Sequence, residues 1–248
     1  MNKFFSVIDE KFFFSTLKKI YQNYLLKNVN NFLCSYIHYK KIDEDHNNKL
    51  SVLCEKYGSD KGGRLEFNIS ERRPHFYSSY YFHKFNKYRD KFLLIFECGI
   101  GSNNKEYKSN MGENAKIGAS LKVWREFFYN AEIFGADIDK NILFKSNRIN
   151  TFYLDQKDNK SILKMWKNIN LNNFDLIIDD GNHSYEAAVN LFFNSFDKLK
   201  SGGLYIIEDV HIAYLIKLAN KLKDYNPNII SSNRKNNIDD YLFIIRKN

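Results

Sequence analysis

The stretch FDLIIDDGNHSYEAAVNLFFNSFDKLKSGGLYIIED, residues 174–209, decides the fold. An apolar run, FDLIID (174–179), ends in a polar turn. A helical face follows, formed by Tyr185, Ala188, Val189, Phe192, Phe196 and Leu199 and stopped by Ser201, Gly202 and Gly203. A second apolar run, GLYIIED (203–209), again ends in acids. Strand, helix and strand in that order make a parallel crossover unit. The turn IDDGNH (178–183) carries two carboxylates and an imidazole where glycine and asparagine alone would reverse the chain, so it demands a chemical reading as well.

The same pattern of apolar runs alternating with helical segments holds from Lys91 onward. The expected strands are FLLIFE (92–97), EIFGAD (132–137) and TFYLD (151–155), joined by the two above. NIISS (228–232) and DYLFIIRK (240–247) read as a closing antiparallel pair at the sheet edge. The expected architecture is α/β, a mostly parallel sheet with helices on both faces. Residues 1–50 read as a helical extension, with Phe13, Leu17, Ile20, Tyr21, Tyr24 and Leu25 at helical spacing and a second apolar group from Phe32 to Ile37. Such a stripe is expected to pack on the domain or to pair two subunits rather than to lie on a membrane. KKIDEDHNNK (40–49) reads as a loop.

The chain is long enough to bury a full core, and 44% hydrophobic residues make it globular. Its 38 basic against 29 acidic residues give +9, which favours anionic partners. The lysines are scattered and no RNA-binding box occurs, so the charge reads as solubilising and no nucleic-acid partner is expected. Cys34, Cys54 and Cys98 are odd in number and lack CxxC spacing, which argues against a disulfide framework and a cysteine zinc site and favours the cytoplasm. The start MNKFFSVIDEKFFF breaks its apolar runs with charges; neither a signal peptide nor a membrane span is expected.

Open parallel sheets bind ligands beyond the carboxyl ends of their strands. The first such end is FECGIGS (96–102), where Gly99 and Gly101 let the backbone turn sharply beside a ligand. The second is GADID (135–139): Asp137 can accept both hydroxyls of a ribose, while Asp139 is free to cap the next helix. Asp155 and Gln156, at the third end, can read an adenine edge. Asp180, Glu208 and Asp209 close two neighbouring strands, and strands lie about 4.8 Å apart, so these acids can converge on one hard cation. The alternative is that Asp179 or Asp180 caps the helix starting near Ser184 and that Glu208 and Asp209 are solvated loop acids. His183 would face the same cavity with an imidazole able to take a proton near neutral pH.

Eight blocks in order, KYGSDKG (56–62), HFYSSYY (75–81), FECGIGS, GASLKVW (118–124), GADID, DQKD (155–158), IIDDGNHSY (177–185) and GGLYIIEDVH (202–211), resemble the S-adenosylmethionine-dependent sugar O-methyltransferases of the macrocin type, which have relatives in macrolide tailoring and capsule synthesis. The resemblance spans residues 51–215. It implies a class I methyltransferase domain over 51–248, Rossmann-like with a seven-stranded sheet, behind an extension of residues 1–50. It also implies S-adenosylmethionine as methyl donor, a divalent cation, usually Mg2+, and a sugar hydroxyl as acceptor, nucleotide-linked or in a capsular polysaccharide. Carried over by position, Asp180, Glu208 and Asp209 hold the metal and His183 is the base. Tyr57, Lys61 and Ser120 face the cofactor's methionine end, with Lys61 on its carboxylate. Glu97, Gly99, Gly101, Asp137, Asp155, Gln156 and Asp179 complete the cofactor site, and His75, Tyr80, His211 and Tyr214 line the substrate pocket.

The chain departs from the family pattern at Asn182, where serine is usual, at Cys98 inside the glycine turn, and in a lengthened loop, NNKEYKSNMGENAK (103–116), which reads as a lid or a substrate-selecting insert. Rival readings are the same fold and cofactor with a non-sugar hydroxylated metabolite, a related fold performing another reaction, and a non-enzymatic basic protein that binds nucleic acid. The intact carboxylates and His183 speak against the last. A homo-oligomer formed through the amino-terminal helices is a further expectation.

Overall fold

The computed structural model describes residues 10–36, 38–63, 75–107, 109–232 and 238–248, without the side chains of 10–17. The side chains of Phe13 and Leu17 in the expected helical stripe, Ile37 at the end of the second apolar group, and residues 1–9 of the start read as lacking a signal peptide therefore lie outside what the structure describes.

In chain order the elements are α1 (Glu10–Ser35), β1 (Tyr39–Ile42), α2 (Lys49–Tyr57), α3 (Tyr77–Phe85), β2 (Leu94–Cys98), α4 (Ala119–Phe127), β3 (Glu132–Asp137), β4 (Lys145–Ser146), β5 (Ile149–Tyr153), α5 (Asn159–Ile169), β6 (Phe174–Asp179), α6 (Tyr185–Ser195), β7 (Leu199–Ile207), α7 (Ile212–Lys221), β8 (Asn228–Ser232) and β9 (Tyr241–Arg246). They form one sheet in the order β1-β8-β9-β7-β6-β2-β3-β5-β4. The central strands run parallel, while β9 is antiparallel to both β7 and β8. Chain order diverges on either side of β2, toward β3 and β5 one way and β6 and β7 the other, so the switch point lies over the β2 and β6 carboxyl ends.

All six residues of β6 are buried, as expected of a strand covered on both faces. Side chains alternate between two cores. Phe96, Phe134, Ile177, Tyr205 and Phe243 pack with α1, α5, α6 and α7. Ile95, Ile133, Ile178, Ile206 and Ile244 pack with α2, α3 and α4.

The sheet has nine strands among the described residues, not seven. The expected seven are present as β5-β3-β2-β6-β7-β9-β8; two-residue β4 flanks β5, and β1 flanks β8 in parallel. β1 falls where a loop was expected and takes the sheet edge from the tail pair. Tyr39 and Ile42 point partly inward while Lys40 and Lys41 stay exposed, a charged pattern suited to an edge strand that would otherwise recruit another chain. The amino-terminal fifty residues thus contribute to the sheet, and Val29 and Leu33 of α1 are buried in the core shared with α7. Ile20, Tyr21 and Tyr24 of the expected stripe remain exposed.

Candidate active site

The first glycine turn leaves no room for any other residue. Gly99 has φ +87°, and a Cβ there would stand 2.0 Å from the Asp180 carbonyl oxygen. The β2 and β6 ends therefore touch through backbone, and a cleft opens above them, with an open volume of about 1020 Å³ including its mouth. Gly99, Gly101, Ser120, Asp137, Asp155, Gln156, Asp180, His183, Glu208, Asp209, Lys61 and His75 all line it. The loop over 103–116 adds Tyr107, Ser109 and Met111 to its wall; the Met111 amide donates to the Ser102 carbonyl at 2.7 Å, which folds that loop over the cleft.

Asp137 is buried at the end of β3. Its Oδ2 accepts from the Ile100 amide at 2.9 Å and its Oδ1 from the Asp139 amide at 3.0 Å, so the carboxylate ties the glycine turn to its own strand. Asp139 caps the short 3-10 turn that follows, accepting from the Asn141 amide. Gln156 straps the β5 end to the β6 turn: its amide nitrogen donates to Asp179 Oδ1 at 2.6 Å and its oxygen accepts from the Asn182 amide at 2.6 Å. Asp179 is pushed up to about 6 by burial, and its Oδ2 is buried without a hydrogen-bond partner among the described residues.

Neither acid of the turn caps α6. Ser184 does, accepting from the Ala187 amide, and this leaves Asp180 free to face the cleft. His183 takes φ +52°, an unusual conformation for a residue with a side chain, and so turns its imidazole toward two carboxylates. Its Nε2 lies 4.0 Å from Asp180 Oδ1 and 3.9 Å from Asp209 Oδ2. Asp209 also has φ +52°. One ligand atom from each of Asp180, His183 and Asp209 falls within 4.8 Å of the others, a spacing that fits a metal ion.

Glu208 is oriented differently. It is buried, with Oε1 accepting from the Tyr81 hydroxyl and Oε2 from Lys61, both at 2.5 Å. Lys61 Nζ also lies 2.5 Å from Asp180 Oδ2 and 3.2 Å from Glu97 Oε1. Burial works against the Lys61 charge, but Asp180, Glu208 and Glu97 outweigh it and hold its pKa well above the usual lysine range. Burial pushes Asp180 and Glu208 up despite Lys61. Three carboxylates share one buried ammonium at the inner wall of the cleft, and the surplus negative charge suits an added cation. Asp209 is held low, because His75 and His183 overcome its burial. His75, although buried, is pushed up to about 10 by Asp209, Asp240 and Asp60, and its Nδ1 lies 3.0 Å from Asp240.

Six expected site residues stand outside the cleft wall, among them Asp179, which is buried beneath the turn on Gln156. Glu97 lies beneath it, taking the Trp124 indole N–H at 2.7 Å and facing Lys61. Tyr57 donates to Glu126. Tyr80 packs against the core beneath α4 and the ring of Tyr81. His211 caps α7, accepting from the Ala213 amide, and Tyr214 donates to the His183 carbonyl at 3.2 Å, holding the turn rather than facing the cleft. Tyr77 and Tyr81, unselected in the sequence, place their hydroxyls on Asp209 and Glu208. Their spacing of four along α3 was the available signal.

No family model matches the chain. It is similar to the 8-demethyl-8-alpha-L-rhamnosyl tetracenomycin-C 2'-O-methyltransferase of Streptomyces olivaceus, 30% identical over 165 residues, 66% of this chain and 38% of that one. It is similar to the demethylmacrocin O-methyltransferase of Streptomyces fradiae, 31% identical over 166 residues, 66% of this chain and 37% of the relative. The chain thus spans well under half the length of these curated relatives. Among solved structures it resembles the MycE methyltransferase of the mycinamycin biosynthetic pathway in complex with Mg and SAH, with TM-score 0.59, 26% identity, and 84% of this chain and 55% of that chain covered. The SAH-bound Podospora anserina methyltransferase PaMTH1, at TM-score 0.51 and 14% identity over the whole of both chains, agrees with it in fold alone. The fold is that of the class I S-adenosylmethionine-dependent methyltransferases.

Proposed function

We propose that this chain, whose homologues over 165 residues are sugar O-methyltransferases, is itself an S-adenosylmethionine-dependent, divalent-cation-assisted O-methyltransferase acting on a sugar hydroxyl. The acceptor in this reading is a nucleotide-linked sugar or a capsular polysaccharide. The observation that carries it is the convergence of Asp180, His183 and Asp209 within 4.8 Å, in the same cleft that the Gly99 turn and Asp137 line.

S-adenosylmethionine would supply the methyl group, its ribose on Asp137 and its base beside Asp155. A bound Mg2+ would orient the acceptor oxygens and lower the pKa of the attacking hydroxyl. Asp180 and Asp209 are its ligands in this reading, with Glu208 as an inner one. Hard cations of this size prefer oxygen, which leaves His183 Nε2 beside them to remove the hydroxyl proton as the oxygen attacks. Tyr214 fixes His183 through its backbone carbonyl, and the loop over 103–116 shields the reacting groups and helps select the acceptor.

Residues 51–248 form the methyltransferase domain in this reading and residues 1–50 an amino-terminal extension, whose β1 joins the sheet of the domain. No helix among the described residues is long and apolar enough to cross a membrane, and the enzyme is proposed to be cytoplasmic. Pairing of two chains through exposed Ile20, Tyr21 and Tyr24 belongs to the same proposal and is read by sedimentation, a monomer at micromolar concentration removing it. The activity itself is tested by incubating purified protein with methyl-labelled S-adenosylmethionine, Mg2+ and a panel of nucleotide sugars, capsular oligosaccharides and non-sugar alcohols. Label in a sugar supports the reading. Label only in a non-sugar alcohol, or none, overturns it.

A further inference from the structure

Lys61 occupies an unusual position for a residue expected to meet a cofactor carboxylate. The tight turn after α2 delivers it inward: Gly58 ends the helix in a left-handed conformation, and the Lys61 carbonyl accepts from the Ser78 amide at 2.8 Å. Its side chain is only 3% exposed. An ammonium has three N–H donors, and here three carboxylates stand around it, at 2.5, 2.5 and 3.2 Å.

Two of those carboxylates are the ones with which a divalent cation would have to bond. Asp180 divides its oxygens: Oδ2 meets Lys61, while Oδ1 faces His183 and the open cleft. Glu208 has no such division, since Lys61 holds one oxygen and Tyr81 the other. Glu208 can therefore join a cation only if the ammonium gives way, and Glu97, at the inner side of the cage, is the carboxylate left to receive it.

We propose that Lys61 is a tethered internal cation that competes with the divalent ion for Asp180 and Glu208. It neutralises and holds the acidic pocket while no metal is bound, and the metal gains the full carboxylate set by displacing the ammonium toward Glu97. This inference rests on the reading that the pocket takes a divalent cation. It makes Lys61 a positioning residue that sets metal affinity rather than a catalytic one. The lysine lowers affinity by repulsion and by occupying ligands, and in return spares the metal-free protein a set of uncompensated buried charges.

The test measures Mn2+ binding by electron paramagnetic resonance, without cofactor or acceptor, so that activity plays no part. Lys61→Met keeps the unbranched stem, one atom shorter, and removes the charge. It is expected to bind Mn2+ at least tenfold more tightly than the wild type, to melt at a lower temperature in EDTA, and to gain more thermal stability from Mn2+. Equal or weaker binding by a folded Lys61→Met overturns the proposal. In the wild-type protein 15N-lysine labelling supplies a second reading: Mg2+ should shift the Nζ signal that the charge-conserving Lys61→Arg removes, and an unmoved signal under saturating Mg2+ overturns it equally. Wild-type protein that binds no Mn2+ at all sinks the cation site itself and this inference with it; wild-type binding with no gain in Lys61→Met sinks the inference alone.

Discussion

Tyr77 and Asp209 hold each other by two hydrogen bonds: the phenol donates to Asp209 Oδ1 at 2.5 Å, and the Asp209 amide donates back to the same phenolic oxygen at 3.1 Å. The pair joins α3 to the end of β7 and keeps Asp209 at φ +52°, where its other oxygen faces His183. Removing the hydroxyl leaves a buried amide and a carboxylate each short of a partner. Tyr77→Phe should cost about 2 kcal/mol of unfolding free energy and weaken Mn2+ binding roughly tenfold. Urea unfolding and Mn2+ titration check this, and a variant equal to the wild type in both assigns Tyr77 to packing alone.

His183→Ala separates a base from a ligand. As a base, His183 should be worth about a hundredfold or more in turnover, with Mn2+ and cofactor affinity nearly unchanged. Single-turnover kinetics under saturating conditions, beside a metal titration, decide it. A matching fall in Mn2+ affinity would make the imidazole a metal ligand instead.

At the other end of the cleft, Asp137→Ala should weaken S-adenosylmethionine binding about tenfold or more, by removing the acceptor for two ribose hydroxyls. The same carboxylate also holds the Ile100 and Asp139 amides, so the loss should include a looser glycine turn. Asp137→Asn, which can keep one of those bonds, should fall between the two in calorimetry. Unchanged affinity in folded Asp137→Ala takes this residue out of the cofactor site.

Asp179 supplies a pH dependence with a definite sign. Burial raises its folded pKa from 3.8 to about 6, so the folded state favours the protonated acid. The stability this contributes is fully present below the unfolded pKa and is lost as pH rises through the folded one, a decline of about 3 kcal/mol between about pH 4 and pH 6. Asp179→Asn should flatten that part of the stability profile, measured by urea unfolding of the metal-free protein. A profile with the wild-type slope would assign the decline to other groups.

The β6-α6-β7 unit was legible from the apolar stretches ending β6 and β7 and from the face of Tyr185, Ala188, Val189 and Phe192, but the expected face ran too far: α6 ends at Ser195 and Leu199 begins β7. β1 was not, because an edge strand with two exposed lysines looks like any charged loop until its partner is known. In HFYSSYY nearly every position is aromatic or small, so composition does not give the phase of α3. The helix starts at Tyr77, and that start puts Tyr77 and Tyr81 inward and Tyr80 aside. The Lys61 cage was beyond reach for a different reason, since its contact with Glu208 closes 147 residues of chain and no local pattern reports it. The acids of the turn were found, but whether they cap α6 was settled only by Ser184 taking that role.

The proposed reaction depends on a divalent cation held by Asp180 and Asp209 beside the methyl donor. Anomalous diffraction from a crystal grown with Mn2+ and S-adenosylhomocysteine tests it most directly. One strong peak is expected about 2.2 Å from carboxylate oxygens of Asp180 and Asp209, with Lys61 withdrawn from Glu208 and the imidazole of His183 close by but unbonded. A fully occupied cofactor with no peak in the cleft, or a peak away from these carboxylates, would contradict it.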